Sequence, residues 1–290
     1  RGGIDMEIIE ISKIIADEGR TIQYLQEKGL LKKYDECPYC GGKSIGNVRR
    51  QKLKCYTCRK EWGIRKGSLL EGLRLPLEKV LMAIKLFELE ISALQASKQL
   101  KVGYKTIMNL FDLVRKAIYY EIEGEIELFS GEIELDESYF GGKRKGNRGR
   151  GAFNKIPVFG ILERNGKVKV EIVKDVTSET LLKLTIKKVR RGSLIYTDKY
   201  KSYNGLLSLG FKHMRIDHSK RFGNGKVYIN GIEGFWSFAK ERLLKYHGVS
   251  KEKFPLYLKE LEFRYNMREH DIFDLLIKLL VKYGLVANNA

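Results

Sequence analysis

The chain has 290 residues, 43% hydrophobic and 31% charged, the balance of a globular protein and not of a fibrous or wholly disordered one. At that length two or three folded units are expected, and no apolar run reaches the roughly 18 residues a membrane helix needs, so no membrane partner is expected. Lys and Arg outnumber Asp and Glu by 55 to 36, a formal charge of +19, and this excess favours a polyanionic partner, nucleic acid first among them.

Residues 1–5 read as a scar ahead of a native start at Met6, with no secretory leader. Residues 1–33 form a helical lead-in, on the spacing of Ile8, Ile11 and Ile15. Residues 34–72 hold all 4 cysteines as two Cys-x-x-Cys pairs, Cys37/Cys40 and Cys55/Cys58, with 14 residues between. Each pair suits a tight turn, and together they offer four thiolates to one structural Zn²⁺, as in a zinc ribbon; disulfides belong to secreted frameworks, which this chain does not resemble. Arg49, Arg50, Lys52 and Lys54 read as a basic strand of the ribbon, either a phosphate contact or a solvated outer face.

Residues 73–127 turn helical. A stripe of Leu77, Val80, Leu81, Ile84 and Phe87 marks one helix, and a short helix over 92–100, a turn at 101–103 and a second helix over 104–116 give a helix-turn-helix layout. Val102, Ile107, Leu110 and Leu113 are expected to pack inward, leaving Tyr104, Lys105, Asn109 and Arg115 toward DNA. The acidic stretch 121–127 reads as a linker. Over 128–290 the period becomes that of strands, at 132–136, 156–162, 167–174, 193–197 and 213–216, with helices at 178–190, 230–245, 253–267 and 272–283. The whole is a multidomain α+β chain whose last part is a mixed α/β sheet covered by helices.

Three carboxylates stand where such a sheet would converge them: Asp136 ending the first strand, Asp198 ending the fourth and Glu233 on the following helix, with 61 and 34 residues between. Each alone reads equally well as a half-exposed strand position, a helix cap or a solvated helix position. Gathered, they would make a hard oxygen site for Mg²⁺ or Mn²⁺. Two ions so held can activate the attacking oxygen and stabilise the leaving one of a phosphoryl displacement.

The blocks Glu134-Leu-Asp-Glu-Ser-Tyr-Phe-Gly-Gly-Lys143, Tyr196-Thr-Asp-Lys-Tyr-Lys-Ser-Tyr203 and Asn230-Gly-Ile-Glu-Gly-Phe-Trp-Ser-Phe-Ala-Lys240 resemble the DDE transposases of bacterial insertion sequences related to the eukaryotic Merlin elements. With the cysteine pairs included, the resemblance covers about residues 37–273. It implies a ribonuclease-H-like catalytic domain, Asp136, Asp198 and Glu233 as the catalytic triad, two Mg²⁺ or Mn²⁺ ions, and cleavage and strand transfer on double-stranded DNA, both transposon ends and target. It also implies a dimer or higher homo-oligomer, placed on the prokaryotic nucleoid or, for a eukaryotic element, in the nucleus. Some such families use Asn as the third residue, so Asn230 is either a rival to Glu233 or a support. Lys240, two helical turns after Glu233, would hold a DNA phosphate. The glycine-rich run 141–151 carries Lys143, Arg144, Lys145, Arg148 and Arg150, and a second cluster carries Lys220 and Arg221; each reads as a clamp on phosphates or as a hairpin tip. Trp236 reads as helix packing.

Overall fold

The computed structural model describes residues 6–49, 51–125, 127–141, 155–198, 203–216, 229–246 and 248–289. The chain divides into two compact units, one made of residues up to Glu121 together with those from Glu269 onward, the other running from Ile122 to Arg268.

In the first unit the lead-in is two helices, α1 (Ile8–Ile15) and α2 (Glu18–Glu27); Asp17 breaks them apart by accepting the Arg20 amide at 2.8 Å as an N-cap. A three-stranded antiparallel sheet follows, β1 (Ile45–Arg49), β2 (Lys52–Cys55) and β3 (Glu61–Gly63). The basic run expected as one strand is therefore a hairpin: Arg49 pairs with Lys52 across a turn where Gln51 takes a positive φ of 57°.

Helix α3 (Leu77–Glu88) buries the expected apolar stripe. Helix α4 (Ala93–Leu100) is capped by the Ser92 hydroxyl, which accepts the Gln95 amide, and stops at Lys101 in the left-handed region. After that turn comes α5 (Tyr104–Gly124), so the helix-turn-helix layout is present. Ile107 and Leu110 are buried as expected, whereas Val102 and Leu113 are half-buried and Phe111 and Val114 take their places in the core.

Two boundaries differ from the sequence reading. The start of the acidic stretch is helical, because Ile118 and Ile122 continue the buried stripe of α5. The last helix, α9 (Ile272–Asn289), belongs with the first unit and not with the segment that precedes it. Lys28 pairs with Asp274 at 2.8 Å, the Met6 amide donates to Asp271 Oδ2 at 3.1 Å, and Lys282 meets Glu121 at 2.7 Å.

The second unit is a five-stranded sheet in the order β6-β5-β4-β7-β8, formed by β4 (Glu132–Phe140), β5 (Ile156–Glu163), β6 (Val168–Ile172), β7 (Leu194–Asp198) and β8 (Lys212–Ile216). The first three strands are antiparallel neighbours, and β7 and β8 add in parallel. Helix α6 (Ser178–Lys188) provides the crossover to β7, while α7 (Asn230–Leu244) and α8 (Phe254–Asn266) pack on the sheet's other side. This is a mixed sheet covered by helices, the architecture the sequence leads one to expect for this segment. Its strand β4 is central, and alternation sends Ile133 and Leu135 into one apolar layer and Glu134 and Asp136 toward α7 on the other. Among the described residues, no helix is long and apolar enough to cross a membrane.

Candidate active site and zinc centre

Strand β4 pairs in parallel with β7, Glu134 lying opposite Tyr196. Extended two residues along both strands, that register would set Asp136 beside Asp198 with side chains on one face, because the pleat repeats every two residues, and the charge of Asp198 does act on Asp136. Asp136 is half-buried and accepts the Trp236 indole N–H from α7 at 3.0 Å. Burial, then the charges of Asp198 and Glu233, push its carboxyl up to about 6, against the pull of the Glu137 amide and the Trp236 indole. Asp198 and Glu233 therefore both lie near enough to Asp136 for their charges to act on it. A hard divalent cation among them would relieve that repulsion, and the donor set is all oxygen. They are not drawn as tightly together as the cysteines, which among the described residues form the group of His, Cys, Asp or Glu with donor atoms all within 4.8 Å.

Glu233 is exposed on the first turn of α7, directly after the buried Ile232. Asn230 opens the same helix and is also exposed. Lys240 stands further along α7 with its ammonium 6.0 Å from the Phe140 ring, at the end of β4 beyond Asp136. Helix α7 thus runs along β4, Ile232 by Glu134, Trp236 by Asp136, Lys240 by Phe140. Trp236 does pack in the core as expected, but its indole N–H also reaches Asp136, a role that helical spacing could not signal.

An ISXO2-like transposase domain matches residues 128–266, nearly the whole second unit. A transposase-like protein of Haemophilus influenzae is 45% identical over 120 residues, 41% of this chain and 98% of that relative. The chain belongs to the ISXO2-like transposases. A protein of the transposable element ISH50 in Halobacterium salinarum is 26% identical to the transposase over 251 residues, 79% of this chain and 84% of that one. The Mos1 transposase paired-end complex with left transposon end aligns over 71% of this chain and 76% of that one, at 12% identity and a TM-score of 0.30.

In the ribbon of the transposase the cysteines meet as their spacing predicts. Cys37 and Cys58 Sγ lie 3.7 Å apart, as do Cys40 and Cys55, close to the roughly 3.8 Å edge of a tetrahedron with 2.3 Å metal–sulfur bonds. All four are free thiols, and they could hold a zinc ion. The Cys58 amide donates to Cys55 and holds that thiol down to about 6. Cys40 is drawn down by the Gly42 amide, yet its crowding neighbours, Cys58 first, drive it up to about 12. Four thiolates cannot share this space without a cation.

The expected DNA contacts divide three ways. Tyr104, Lys105 and Asn109 are exposed on the first turns of α5, as the layout requires. Arg115 is only 2% exposed, stacked 5.2 Å from Phe87 and paired with Asp112, so it does not face DNA. On the ribbon, Lys52 is exposed, whereas Arg49 and Lys54 flank Glu61 at 2.5 and 3.9 Å and are partly neutralised by it. Arg50, Lys143, Arg144, Lys145, Arg148, Arg150, Lys220 and Arg221 lie outside the described residues. An unforeseen feature is Tyr39, exposed between the two cysteines of the first pair, with the ammonium groups of Lys60 and Lys66 at 4.8 and 5.1 Å from its ring.

Proposed function

We propose that this transposase cuts and joins DNA strands at transposon ends, with Asp136, Asp198 and Glu233 as its catalytic carboxylates. The observation that carries the reading is geometric: Asp136 and Asp198 stand on the adjacent parallel strands β4 and β7, and α7, which bears Glu233, is bonded to Asp136 through the Trp236 indole at 3.0 Å; the raised Asp136 carboxyl, lifted by burial and then by the two other acids, accords with it. A pure DNA binder gains nothing from crowding carboxylates where phosphates must come. The three acids would hold two Mg²⁺ or Mn²⁺ ions. Bound there, divalent cations supply Lewis acidity toward a phosphodiester oxygen and lower the pKa of water or of a 3′ hydroxyl. Asp136 and Asp198, on rigid adjacent strands, fix one side of the site, and Glu233 closes it from α7. Lys240 would hold a phosphate beside them, and exposed Asn230 is a support for, or an alternative to, Glu233.

One Zn²⁺ at Cys37, Cys40, Cys55 and Cys58 would brace the ribbon. Terminal-repeat recognition falls to Tyr104, Lys105 and Asn109, with Lys52, Arg49 and Lys54 on phosphates. The runs holding Lys143, Arg144, Lys145, Arg148, Arg150, Lys220 and Arg221, together with Arg50, add positive charge for the same purpose. Joining two ends in one reaction calls for at least two copies.

The test uses an oligonucleotide duplex carrying the element's own terminal repeat, with Mg²⁺ or Mn²⁺, scored for cleaved and joined products on a gel. Asp136→Asn should lose both products, at least a thousandfold, while end binding by mobility shift stays within about twofold. Cleavage persisting in that variant would overturn the assignment, and cleavage without joining in the wild type would reduce the activity to a nuclease.

A further inference from the structure

Helix α7 carries Glu233 but begins without a cap of its own: its N-cap residue is Ile229, and no side chain of that residue bonds back to the first turn. The third helical amide, Ile232 N–H, is one that a capping side chain would normally satisfy. Here it donates at 2.9 Å to Glu134 Oε2, from the middle of the sheet. Glu134 is 1% exposed, and its other oxygen is held by Arg164 Nε at 3.0 Å. Arg164 in turn bonds Glu132 at 2.8 Å and lies 3.6 Å over the Tyr196 ring. Both carboxylate oxygens are thereby engaged, so Glu134 is no ligand for an ion.

One turn along α7, Trp236 Nε1 donates to Asp136 Oδ2 at 3.0 Å. The spacings match. Four residues of helix advance about 6.0 Å, and two residues of strand about 6.6 Å, so Ile232 and Trp236 meet Glu134 and Asp136 in step. Two glycines make this approach possible. A Cβ on Gly160 of β5 would lie 2.5 Å from the Trp236 ring, and one on Gly231 would lie 2.9 Å from Glu134 Oε2.

We propose that Glu134 and Trp236 form a two-point clamp that sets α7 in register on β4, Glu134 by capping the helix from the sheet and Trp236 by orienting Asp136. Both are positioning residues. Glu233 sits between the two points of attachment, so the clamp fixes the third acid relative to the first. The inference rests on the functional reading above, and deepens it by naming what holds the acidic site in shape.

The whole chain, zinc-loaded and ¹⁵N-labelled, has 2 tryptophans and therefore two indole N–H signals in an NMR spectrum. Trp236→Phe identifies which signal is which by deleting one. Adding Mg²⁺ should move the Trp236 signal and leave that of Trp62 in place, and in Asp136→Asn neither should move. Mn²⁺ affinity, read from the free-ion electron paramagnetic resonance signal without DNA, should fall at least tenfold in Trp236→Phe and in Glu134→Gln, as for other groups that orient a metal ligand. Arginine-to-lysine exchange at Arg164, which keeps the charge beside Glu134, should recover most of that affinity relative to Arg164→Ala. Unchanged Mn²⁺ affinity in both clamp variants, or an unmoved Trp236 signal while Mg²⁺ displaces Mn²⁺, would overturn the clamp and leave the acidic triad standing. If the clamp variants do not fold, Trp62→Phe, in the other unit, assigns the two signals by deleting the other one, and the wild-type Trp236 signal then decides. A wild type that binds no Mn²⁺, or an Asp136→Asn variant that binds it as well, would instead bring down the functional reading and the clamp with it.

Discussion

Asp136 is a carboxylate kept in an environment that disfavours its charge. Its pKa stands near 6 in the folded chain against 3.8 for the free group, so the native state binds the proton more tightly than the unfolded state does. Below about pH 3 both states are protonated and the group costs nothing. As pH rises from about 3 through 6 the unfolded chain ionises first, and stability falls; above 6 the ionised acid costs on the order of 3 kcal/mol. Asp136→Asn, which keeps an acceptor for the Trp236 indole, should therefore raise the urea midpoint of the divalent-free protein at pH 8 and raise it far less near pH 4. Mg²⁺ at pH 8 should stabilise the wild type and not the variant. A variant no more stable than wild type at pH 8 would mean that the acid is not crowded by its neighbours.

At the scale of elements, the contact between α7 and the sheet depends on a strand position with no side chain. Gly160 faces the Trp236 ring and the end of Ile232, with no room for even a methyl group. Gly160→Ala should cost about 1–3 kcal/mol in urea unfolding and should lower strand transfer more than end binding, since it displaces the helix that carries Glu233. A variant of full activity would show that α7 can shift freely.

These elements were legible to very different degrees. Strands β4 to β8 and helices α6 to α8 follow the sequence pattern closely, because alternation and helical periodicity are local and each element has one clear apolar side. The order of the cysteines, and Asp198 at the end of its strand, were readable for the same reason; Asp136, expected to end its strand, instead lies in the middle of β4, which stays paired with β5 as far as Phe140. The partner of Trp236 was not: an indole on the buried face of a helix looks the same whether its N–H meets a carboxylate or a backbone carbonyl. Glu134 misled in the other direction. Its alternation with Ile133 and Leu135 suggests a solvated edge of the strand, but α7 covers that face and the charge is met by a helix terminus and Arg164. Arg115 looked available for DNA, yet the stripe of α5 is wide enough to take it into the core beside Phe87. Helix α9 shows the limit of periodicity most plainly, since an amphipathic helix announces that it will be buried without saying against which core.

For the whole molecule, two units with separate cores should unfold in separate steps. Cys37→Ser with Cys55→Ser should remove zinc, abolish end binding and melt the ribbon, because a sheet of three short strands has little core beyond Cys37, Cys55 and Trp62. The same variant should retain Mn²⁺ affinity within about twofold, measured on the full chain, since the acids lie in the other unit. Loss of Mn²⁺ binding together with zinc would show that the two units fold as one. The net charge of +19 leads us to expect that end binding weakens steeply with salt, by about a thousandfold between 50 and 200 mM if about six phosphates are neutralised.

The path of the chain through the two units has a consequence for synthesis. The first unit is interrupted after Glu121 and resumes only at Glu269, so its α9 leaves the ribosome after the whole of the second unit. The second unit, by contrast, is continuous and has all its strands and helices in hand before α9 emerges. The nascent polypeptide can complete the part that bears the acids while the part proposed to recognise DNA still lacks a helix, so a newly made copy would acquire the centre proposed to cut before the means proposed to choose where.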